Sequence, residues 1–245
     1  MAESEWISPG WSYAERVCVV TTTRSGGSSI EPYRSFNLAT HVGDDALDVA
    51  ENRRRLRRAI GGLPIHWLRQ VHGNRVVRAG AQTVGQDREA DAVWTDEPQV
   101  ALAVLTADCL PVVLVDRQFR GVAIAHAGWR GLVGGVLGRT LEAFPFQDCV
   151  AWIGPGIGPG AYEVGAEVLS AVETLGSVAE DVIVRGRSAS KGHLDLFKLA
   201  EQQLRHLGVE EVWCDRLCTV QAEKLYSYRQ LGVTGRMASL VWLPG

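Results

Sequence analysis

Three residues that can bind a metal ion or act as acid, base or nucleophile lie where apolar segments of the sequence end. Cys109 stands between two apolar runs, His126 lies near the end of the run 122–127, and His72 falls in the turn "HGN". Short continuous apolar runs are typical of strands covered on both faces. Side chains at the ends of separate strands can converge, so the three residues are candidates for one site.

The spacing of these residues leaves three interpretations open. Cys109 can be a small buried apolar residue and His72 an exposed turn residue. Cys109 and His126 can instead be a nucleophile and its base, which need only lie within hydrogen-bonding distance. All three can also bind one metal ion, since two imidazoles and a thiolate leave a position for water, whose pKa zinc lowers toward about 7. Only the metal site requires His72.

Three charged residues near predicted turns can assist such chemistry. Asp108 precedes Cys109 and can orient a histidine or carry a proton, although a turn-capping aspartate is an equally good interpretation. Arg130 lies where a strand leads into a helix, and Arg24 precedes flexible glycines, and both places favour an anion. Single arginines near turns are commonly only solvated, so each is a weak signal.

The elements that must position these residues are a mixture of strands and helices. Strands are predicted over 16–23, 100–105, 112–116, 122–127, 149–154, 209–214 and 237–243, and 65–80 is predicted to be two strands joined by a turn at 72–74. Helices are predicted from Leu47, over 129–144, and over 194–207 with Asp195 as N-cap and Gly208 as stop. Because strands outnumber helices and several are joined by turns, the sequence predicts an α+β fold with mixed sheets.

Length and composition are those of an ordinary soluble globular protein. The 245 residues are 46% hydrophobic and 22% charged, and no segment divides them into domains. The net charge of -3 predicts no general attraction to nucleic acid, and no apolar run approaches the roughly eighteen residues of a membrane span. Five cysteines without a disulfide spacing, and no signal peptide, predict a cytoplasmic protein.

Seven segments of the sequence resemble the YfiH/YlmD family, whose members carry the label polyphenol oxidase or laccase domain. In order they are "FNLATHVGDD", "RQVHGNRV", "ADAVWTD", "LTADCLPVVLVD", "AHAGWRG", "IGPGIGP" and "TGRMASLVWL". They extend over nearly the whole chain, from about residue 18 to residue 243. Asp-Cys-Leu-Pro together with His-Ala-Gly-Trp-Arg-Gly is a highly specific combination.

The resemblance implies a purine nucleoside phosphorylase. Such a protein cleaves adenosine, inosine and S-methyl-5′-thioadenosine with phosphate to the free base and the ribose 1-phosphate, and also deaminates adenosine. It implies zinc at His72, Cys109 and His126, and copper can occupy the same donors. The implied fold is a single domain over 1–245 with 1–15 as an extension, in which mixed sheets form a layered sandwich with outer helices. This YfiH-like fold is similar to that of a bacterial deamidating toxin with a Cys–His dyad.

One position departs from the family. Members often read Ser-His-Arg where this chain has "YSYRQ", so Tyr228 stands in place of a histidine before Arg229. Tyr228 keeps a hydroxyl donor but lacks a group that titrates near neutrality. The residues predicted to be catalytic are Cys109, His126, His72 and Asp108. Those predicted to bind substrate or phosphate are Arg24, Arg130, Arg229 and Tyr228.

Alternative functions stay open at this point. One alternative is a copper-dependent polyphenol oxidoreductase. A four-copper oxidase uses clustered histidines, but the six histidines of this chain form no His-x-His pair. This alternative is therefore an oxidoreductase with a single copper ion. A Cys–His dyad would give an amide hydrolase, a role attached to this family in peptidoglycan quality control. A metal-stabilised binding protein is the non-catalytic alternative. The expected partners are purine nucleosides and phosphate, not nucleic acid or membrane, for a monomer or small homo-oligomer.

Overall fold

A computed structural model shows two central β-sheets flanked by helices. The structure describes residues 6–86, 88–179, 181–186 and 190–245. Its strands are β1 (Cys18–Thr21), β2 (Ile65–His66), β3 (Leu68–Arg69), β4 (Val76–Arg78), β5 (Arg88–Glu89), β6 (Ala92–Thr95), β7 (Ala101–Thr106), β8 (Leu110–Asp116), β9 (Val122–Ala127), β10 (Cys149–Ile153), β11 (Glu163–Gly165), β12 (Ile183–Arg185), β13 (Lys191–Leu194), β14 (Glu211–Cys214) and β15 (Met237–Trp242). Its helices are α1 (Ala46–Ala59), α2 (Trp129–Val133), α3 (Val136–Ala143), α4 (Ala166–Glu173), α5 (Leu196–His206) and α6 (Tyr228–Leu231).

The larger sheet has the strand order β14-β10-β8-β9-β6-β4. Its two outer pairs are parallel and its inner pairs are antiparallel. In the β8–β9 pair Pro111 is opposite His126, and Leu110 is opposite Ala127. This register places the start of β8, and therefore Cys109 directly before it, beside the end of β9.

The smaller sheet, β1-β15-β7-β2, packs face to face against the larger one. It is also mixed, because β2 and β7 are parallel whereas its other pairs are antiparallel. Between the sheets, Leu102 and Val104 of β7 share a core with Val113 of β8 and Ile124 of β9. Two mixed sheets with separate helices confirm the predicted α+β fold and its layered sandwich.

Helices cover the outer faces of both sheets. Leu137 of α3 and Leu204 of α5 pack on the larger sheet, and Leu56 of α1 packs on the smaller one. Every residue of β7, β8 and β9 is consequently buried. The continuous apolar runs therefore belong to strands covered on both faces, as predicted. No helix in the described part of the chain has both the length and the apolar character needed to cross a bilayer.

The prediction that 65–80 forms two strands joined by a turn is only partly right, because the segment forms three short strands that belong to three different sheets. The segment contributes β2 to the smaller sheet, β3 to a two-stranded sheet with β5, and β4 to the larger sheet. The predicted turn at 72–74 exists, but it carries the chain from one sheet to another. Short apolar runs indicate extended backbone without indicating the partner strand.

The predicted helix over 129–144 is two helices. The chain breaks between α2 and α3 at Gly134 and Gly135, and Gly135 adopts φ +78°. The apolar stripe of 129–144 conceals this break because both helices pack on the same sheet. By contrast, α5 begins and ends as predicted, since the Asp195 side chain accepts a hydrogen bond from Lys198 N and Gly208 has φ +90°.

Helix α4 and the sheet β11-β13-β12 were not predicted. The segment 155–165, "PGIGPGAYEVG", is rich in glycine and proline and predicts only a loop. The structure shows a 3-10 turn at Pro159–Ala161 followed directly by β11. This segment matters for the site, because it contains Tyr162.

We expect alanine substitutions at two glycines of this region to change stability in opposite directions. At Gly135 the left-handed backbone makes Gly135→Ala cost about 1–2 kcal/mol, although no other atom lies within 4 Å of the added Cβ. At Gly138, inside α3, the added Cβ meets only Leu207 at 3.8 Å, so Gly138→Ala should stabilise by about 0.5–1 kcal/mol. Urea denaturation measures both, and a stabilising Gly135→Ala would contradict the break between α2 and α3.

Candidate metal centre and active site

His72, Cys109 and His126 converge at one end of the larger sheet. Their ligand atoms all lie within 4.8 Å of one another, and the two imidazole rings meet edge to face with centroids 4.8 Å apart. His126 is buried, Cys109 is partly buried and His72 is exposed. Among the described residues, no other group of three or more His, Cys, Asp and Glu side chains lies close enough to hold a metal ion.

Asp91, directly before β6, holds both histidines in place. Its Oδ1 accepts hydrogen bonds from His126 Nδ1 at 2.8 Å and from His72 N at 2.9 Å. Its Oδ2 accepts from Val71 N at 3.1 Å and Gly73 N at 2.7 Å. Three successive backbone N–H groups thus surround one carboxylate, which accounts for the left-handed conformation of His72, φ 60°.

This contact determines which nitrogen of His126 is available. Because Nδ1–H donates to Asp91, Nε2 is left free to bind an ion. A carboxylate that orients a ligating histidine in this way is a common support of protein metal sites. Asp91 was not singled out from the sequence, although it lies in the segment "ADAVWTD". The available signal was an aspartate between alanines at the start of a buried strand, where an unpaired carboxylate is unfavourable.

The chain leaves no room for a side chain at Gly128, between β9 and α2. A Cβ there would lie 2.8 Å from Cys109 Sγ and 3.5 Å from His72 Cδ2. The glycine of the "HAGW" segment therefore lets the backbone pass directly behind the thiol. A side chain at position 128 would therefore displace the thiol or the His72 ring.

Cys109 and His126 form a charge pair in the absence of a metal ion. Burial raises the pKa of the Cys109 thiol, but the charge of His126 and hydrogen bonds with His126 and His72 outweigh burial and bring that pKa to about 6. For His126, burial lowers the pKa, but the Cys109 thiolate and Asp91 raise it to about 9. Near neutral pH the pair is therefore thiolate and imidazolium.

The donor set fits one zinc or copper ion. Two imidazoles and a thiolate are the borderline and soft ligands that both metals accept, and three protein ligands leave a position open for water or substrate. The hydrogen bond that His126 Nδ1–H donates to Asp91 fixes the His126 tautomer that ligation requires. The cluster therefore has the properties of a catalytic rather than a structural metal site.

A cavity of about 550 Å³ contains this cluster. Of the residues predicted to bind substrate, the structure places Arg130, Arg229 and Tyr228 in its wall. Arg24 lines a different cavity, of about 830 Å³, together with Arg34. The structure therefore does not bring Arg24 to the metal cluster.

Asp108 also lines the cavity, but its carboxylate hydrogen-bonds to residues other than the two histidines. It accepts hydrogen bonds from Thr219 Oγ1 at 2.6 Å, Ser227 Oγ at 2.7 Å and Arg229 N at 2.6 Å. These contacts attach the start of α6 to the end of β7. The expectation that Asp108 orients a histidine is wrong, because Asp91 does so. Asp108 instead fixes the backbone that presents Tyr228 and Arg229.

Several further cavity residues were not singled out from the sequence. Gln70 is held by Leu105, whose carbonyl accepts from Nε2 at 2.9 Å and whose N–H donates to Oε1 at 2.7 Å. Tyr162 carries the Arg229 guanidinium over its ring at 5.0 Å. Burial raises the pKa of Tyr162 to about 12, so its phenol stays protonated near neutrality. Arg236 completes this wall.

A mixed two-sheet α+β fold thus carries one His72–Cys109–His126 cluster, supported by Asp91 and lying in a single cavity. Residues 18–244 match the family described as multi-copper polyphenol oxidoreductase laccase, and the chain belongs to this family. The family identification made from the sequence motifs is therefore confirmed.

Relatives and solved structures agree with this placement over nearly their full lengths. The chain is 44% identical over 241 residues to a purine nucleoside phosphorylase of Pseudomonas aeruginosa, covering 97% of this chain and 98% of that protein. It is 42% identical over 245 residues to purine nucleoside phosphorylase YfiH of Escherichia coli, covering 98% and 99%. Protein NMB0706 of Neisseria meningitidis superposes with TM-score 0.93 at 42% identity, covering 98% and 99%. YlmD of Geobacillus stearothermophilus superposes with TM-score 0.90 at 30% identity, covering 100% and 98%.

We expect Asp91→Asn to weaken metal binding by about 10–100-fold, as losses of such supporting carboxylates do. The asparagine offers one acceptor oxygen, and its NH₂ faces N–H donors, so the turn at 72–74 and the His126 tautomer both lose support. Zinc competition with a chromophoric chelator measures the change. Asp116→Asn is the matched control, because Asp116 is a buried carboxylate paired with Arg120 outside the site. Equal zinc affinity in both variants would contradict the role of Asp91.

We expect zinc binding to release about one proton per ion between about pH 6 and 9. In this range the metal-free site holds a Cys109 thiolate and a protonated His126, and ligation by His126 removes its proton. Zinc affinity should therefore rise about tenfold per pH unit as pH increases, and fall as pH decreases. Calorimetric titration in two buffers of different ionisation enthalpy counts the proton. A binding enthalpy independent of the buffer would contradict the charge pair.

Proposed function

We propose that this chain is a metal-dependent purine nucleoside phosphorylase. It would cleave adenosine, inosine and S-methyl-5′-thioadenosine with phosphate, and also deaminate adenosine, at zinc held by His72, Cys109 and His126. The observation that carries the proposal is the placement of this cluster in one cavity with cationic side chains, of which Arg130 and Arg229 are two. The names of relatives at 44% and 42% identity support the substrate class.

The reaction makes two demands on the cavity. A phosphate oxygen attacks C1′ of the ribose, the glycosidic C–N bond breaks, and its electron pair passes to the purine, which takes up a proton. Cationic side chains bind the phosphate. The protonated Tyr162 phenol can donate a hydrogen bond to the departing purine, because its pKa lies near 12.

Deamination demands an activated water directed at C6 of adenine. When bound, zinc supplies a Lewis acid and lowers the pKa of a bound water toward about 7. Asp91 keeps His126 in the tautomer that ligates, and the absence of a side chain at Gly128 leaves room for the Cys109 thiol beside the histidines. These protein contacts serve both activities, because both depend on the same three ligands.

A second candidate is a Cys–His amide hydrolase, such as one acting on cell-wall peptides. The observation that favours it is the order Asp91, His126, Cys109, in which a carboxylate orients the base of a thiolate with pKa about 6. The alternative function of a single-copper polyphenol oxidoreductase is supported only by the description of the family. The described residues hold one cluster with three or more candidate ligands, so a multi-copper centre has no counterpart in that part of the chain.

The test is incubation of metal-analysed protein with adenosine or inosine, with and without phosphate, followed by chromatography of the products. We expect adenine or hypoxanthine release that requires phosphate. Cys109→Ala should reduce this release by at least about 10³-fold and remove most of the zinc, whereas Cys18→Ala, altered in β1 and outside the cavity, should match the unaltered protein.

Other outcomes separate the alternatives. Ammonia release without base release would reduce the function to a deaminase. Full activity of zinc-loaded Cys109→Ala would remove the thiol from the site. Peptide-amide cleavage that alkylation abolishes and chelation leaves intact would establish the Cys–His hydrolase instead. Phenol oxidation that requires added copper would establish the oxidoreductase.

A further inference from the structure

Arg236, directly before β15, is a cationic residue of the cavity to which the sequence analysis assigned no role. It lines the same cavity as the three proposed metal ligands. Arg130 and Arg229 also line this cavity, but both side chains are exposed whereas Arg236 is half-buried. Arg130 lies 3.7 Å from the Glu167 carboxylate, and Arg229 Nη1 donates to two carbonyls. Arg236 is therefore the least exposed of the three guanidinium groups.

The protein occupies one edge of the Arg236 guanidinium and leaves the other edge free. Nη1 donates to the carbonyls of Thr234 at 2.8 Å and Gly235 at 3.0 Å. Neither Nε nor Nη2 has an acceptor within the described ranges, and no carboxylate there forms a salt bridge with Arg236. Since a guanidinium carries five N–H donors, three remain for a ligand.

Both the backbone and the side chain of Arg236 have contacts that hold them in position. Its N–H donates to Asn37 Oδ1 at 2.9 Å, and its carbonyl accepts from Leu38 N at 3.3 Å. The Tyr228 ring lies against the guanidinium, 5.6 Å from centroid to Cζ. The Tyr228 ring thus provides an aromatic surface for the cation.

We propose that Nε and Nη2 of Arg236 form the phosphate subsite of this cavity. These two nitrogens present parallel N–H groups that match two oxygens of one phosphate, and partial burial strengthens such charge-assisted pairs. The inference rests on the proposed phosphorolysis for its ligand, inorganic phosphate. Arg236 binds two of the four phosphate oxygens, and one of the remaining two attacks C1′. Arg236 thus takes the phosphate-binding role that the sequence predicted for Arg24, because Arg24 lies in the other cavity.

Direct binding of inorganic phosphate to the zinc-loaded protein tests the subsite without any nucleoside. Phosphorus NMR line broadening or calorimetry gives the dissociation constant. We expect Arg236→Gln to weaken phosphate binding at least tenfold, and Arg236→Lys, which keeps the charge but loses the fork, to fall between. Arg139→Gln is the matched control, because Arg139 is exposed on α3 and paired with Glu142; its affinity should equal that of the unaltered protein. Circular dichroism and zinc content establish that each variant is folded. If Arg236→Gln does not fold, the phosphate affinity of Arg236→Lys tests the subsite instead.

Kinetics distinguish this inference from the proposed function. With adenosine as substrate, Arg236→Gln should raise the KM for phosphate at least tenfold and change the KM for adenosine less than threefold. Base release that does not require phosphate would refute the phosphorylase, while the binding measurement would still judge the subsite. An unaltered phosphate affinity in folded Arg236→Gln, no phosphate binding by the unaltered protein, or an effect of Arg24→Gln in place of Arg236→Gln would each overturn the assignment.

Discussion

The buried Asp91 carboxylate is the contact on which the site depends. Removing a carboxylate from water costs several kcal/mol unless hydrogen bonds replace its hydration. Here the backbone N–H groups of Val71, His72 and Gly73 and the imidazole of His126 replace that hydration. Burial alone would raise the pKa of Asp91, but the hydrogen bond from His126 and those from the backbone outweigh it, and the pKa is lowered. The carboxylate is therefore charged at neutral pH and joins the 71–73 turn to β6 and β9.

The same carboxylate would support His126 in both catalytic interpretations, the metal site and the Cys–His dyad. With a metal ion bound, Asp91 fixes the ligating nitrogen of His126. Without the ion, it stabilises the imidazolium that accompanies the Cys109 thiolate. A nucleophilic dyad and a metal site thus both use Asp91, His126 and Cys109, and only the metal site also requires His72. The ligand atom of His72 lies within 4.8 Å of those of Cys109 and His126. This placement favours the metal site, because a metal ion uses both imidazoles as ligands whereas a dyad needs only His126 as its base.

The sequence predicted the parts of the fold that depend on burial and capping. Continuous apolar runs identified β7, β8 and β9, since those strands are covered on both faces. Asp195 and Gly208 marked the ends of α5, because a cap and a left-handed residue are local features. Strand partners within 65–80 were not predictable, because they depend on which sheet the chain meets next. The break at Gly135 was concealed by the apolar stripe that α2 and α3 share. Helix α4 and the sheet β11-β13-β12 follow a glycine-rich segment whose local pattern indicates only a loop.

Residue type identified the candidate site from the sequence, but it did not identify which side chains hydrogen-bond to one another. Two histidines and a cysteine beside strand ends were recognisable from their chemistry alone. Asp108 and Asp91 are both buried aspartates next to strands, and only the fold shows that Asp91 holds the histidines whereas Asp108 holds the start of α6. Long-range hydrogen bonds of this kind have sequence separations of 35 and 119 residues, which no local pattern encodes.

If the cluster binds a divalent ion and Arg236 binds an anion, as proposed, charge connects the two sites. Before a metal ion binds, the Cys109 thiolate and the His126 imidazolium cancel, so Asp91 leaves this group with one negative charge. A divalent ion that displaces the His126 proton adds one net positive charge, and the group becomes neutral. An oxyanion entering the cavity then meets the Arg236 guanidinium without the opposing charge of an empty centre. Occupation of the metal site therefore favours anion binding through Coulomb's law alone, even where the ion and the anion share no ligand.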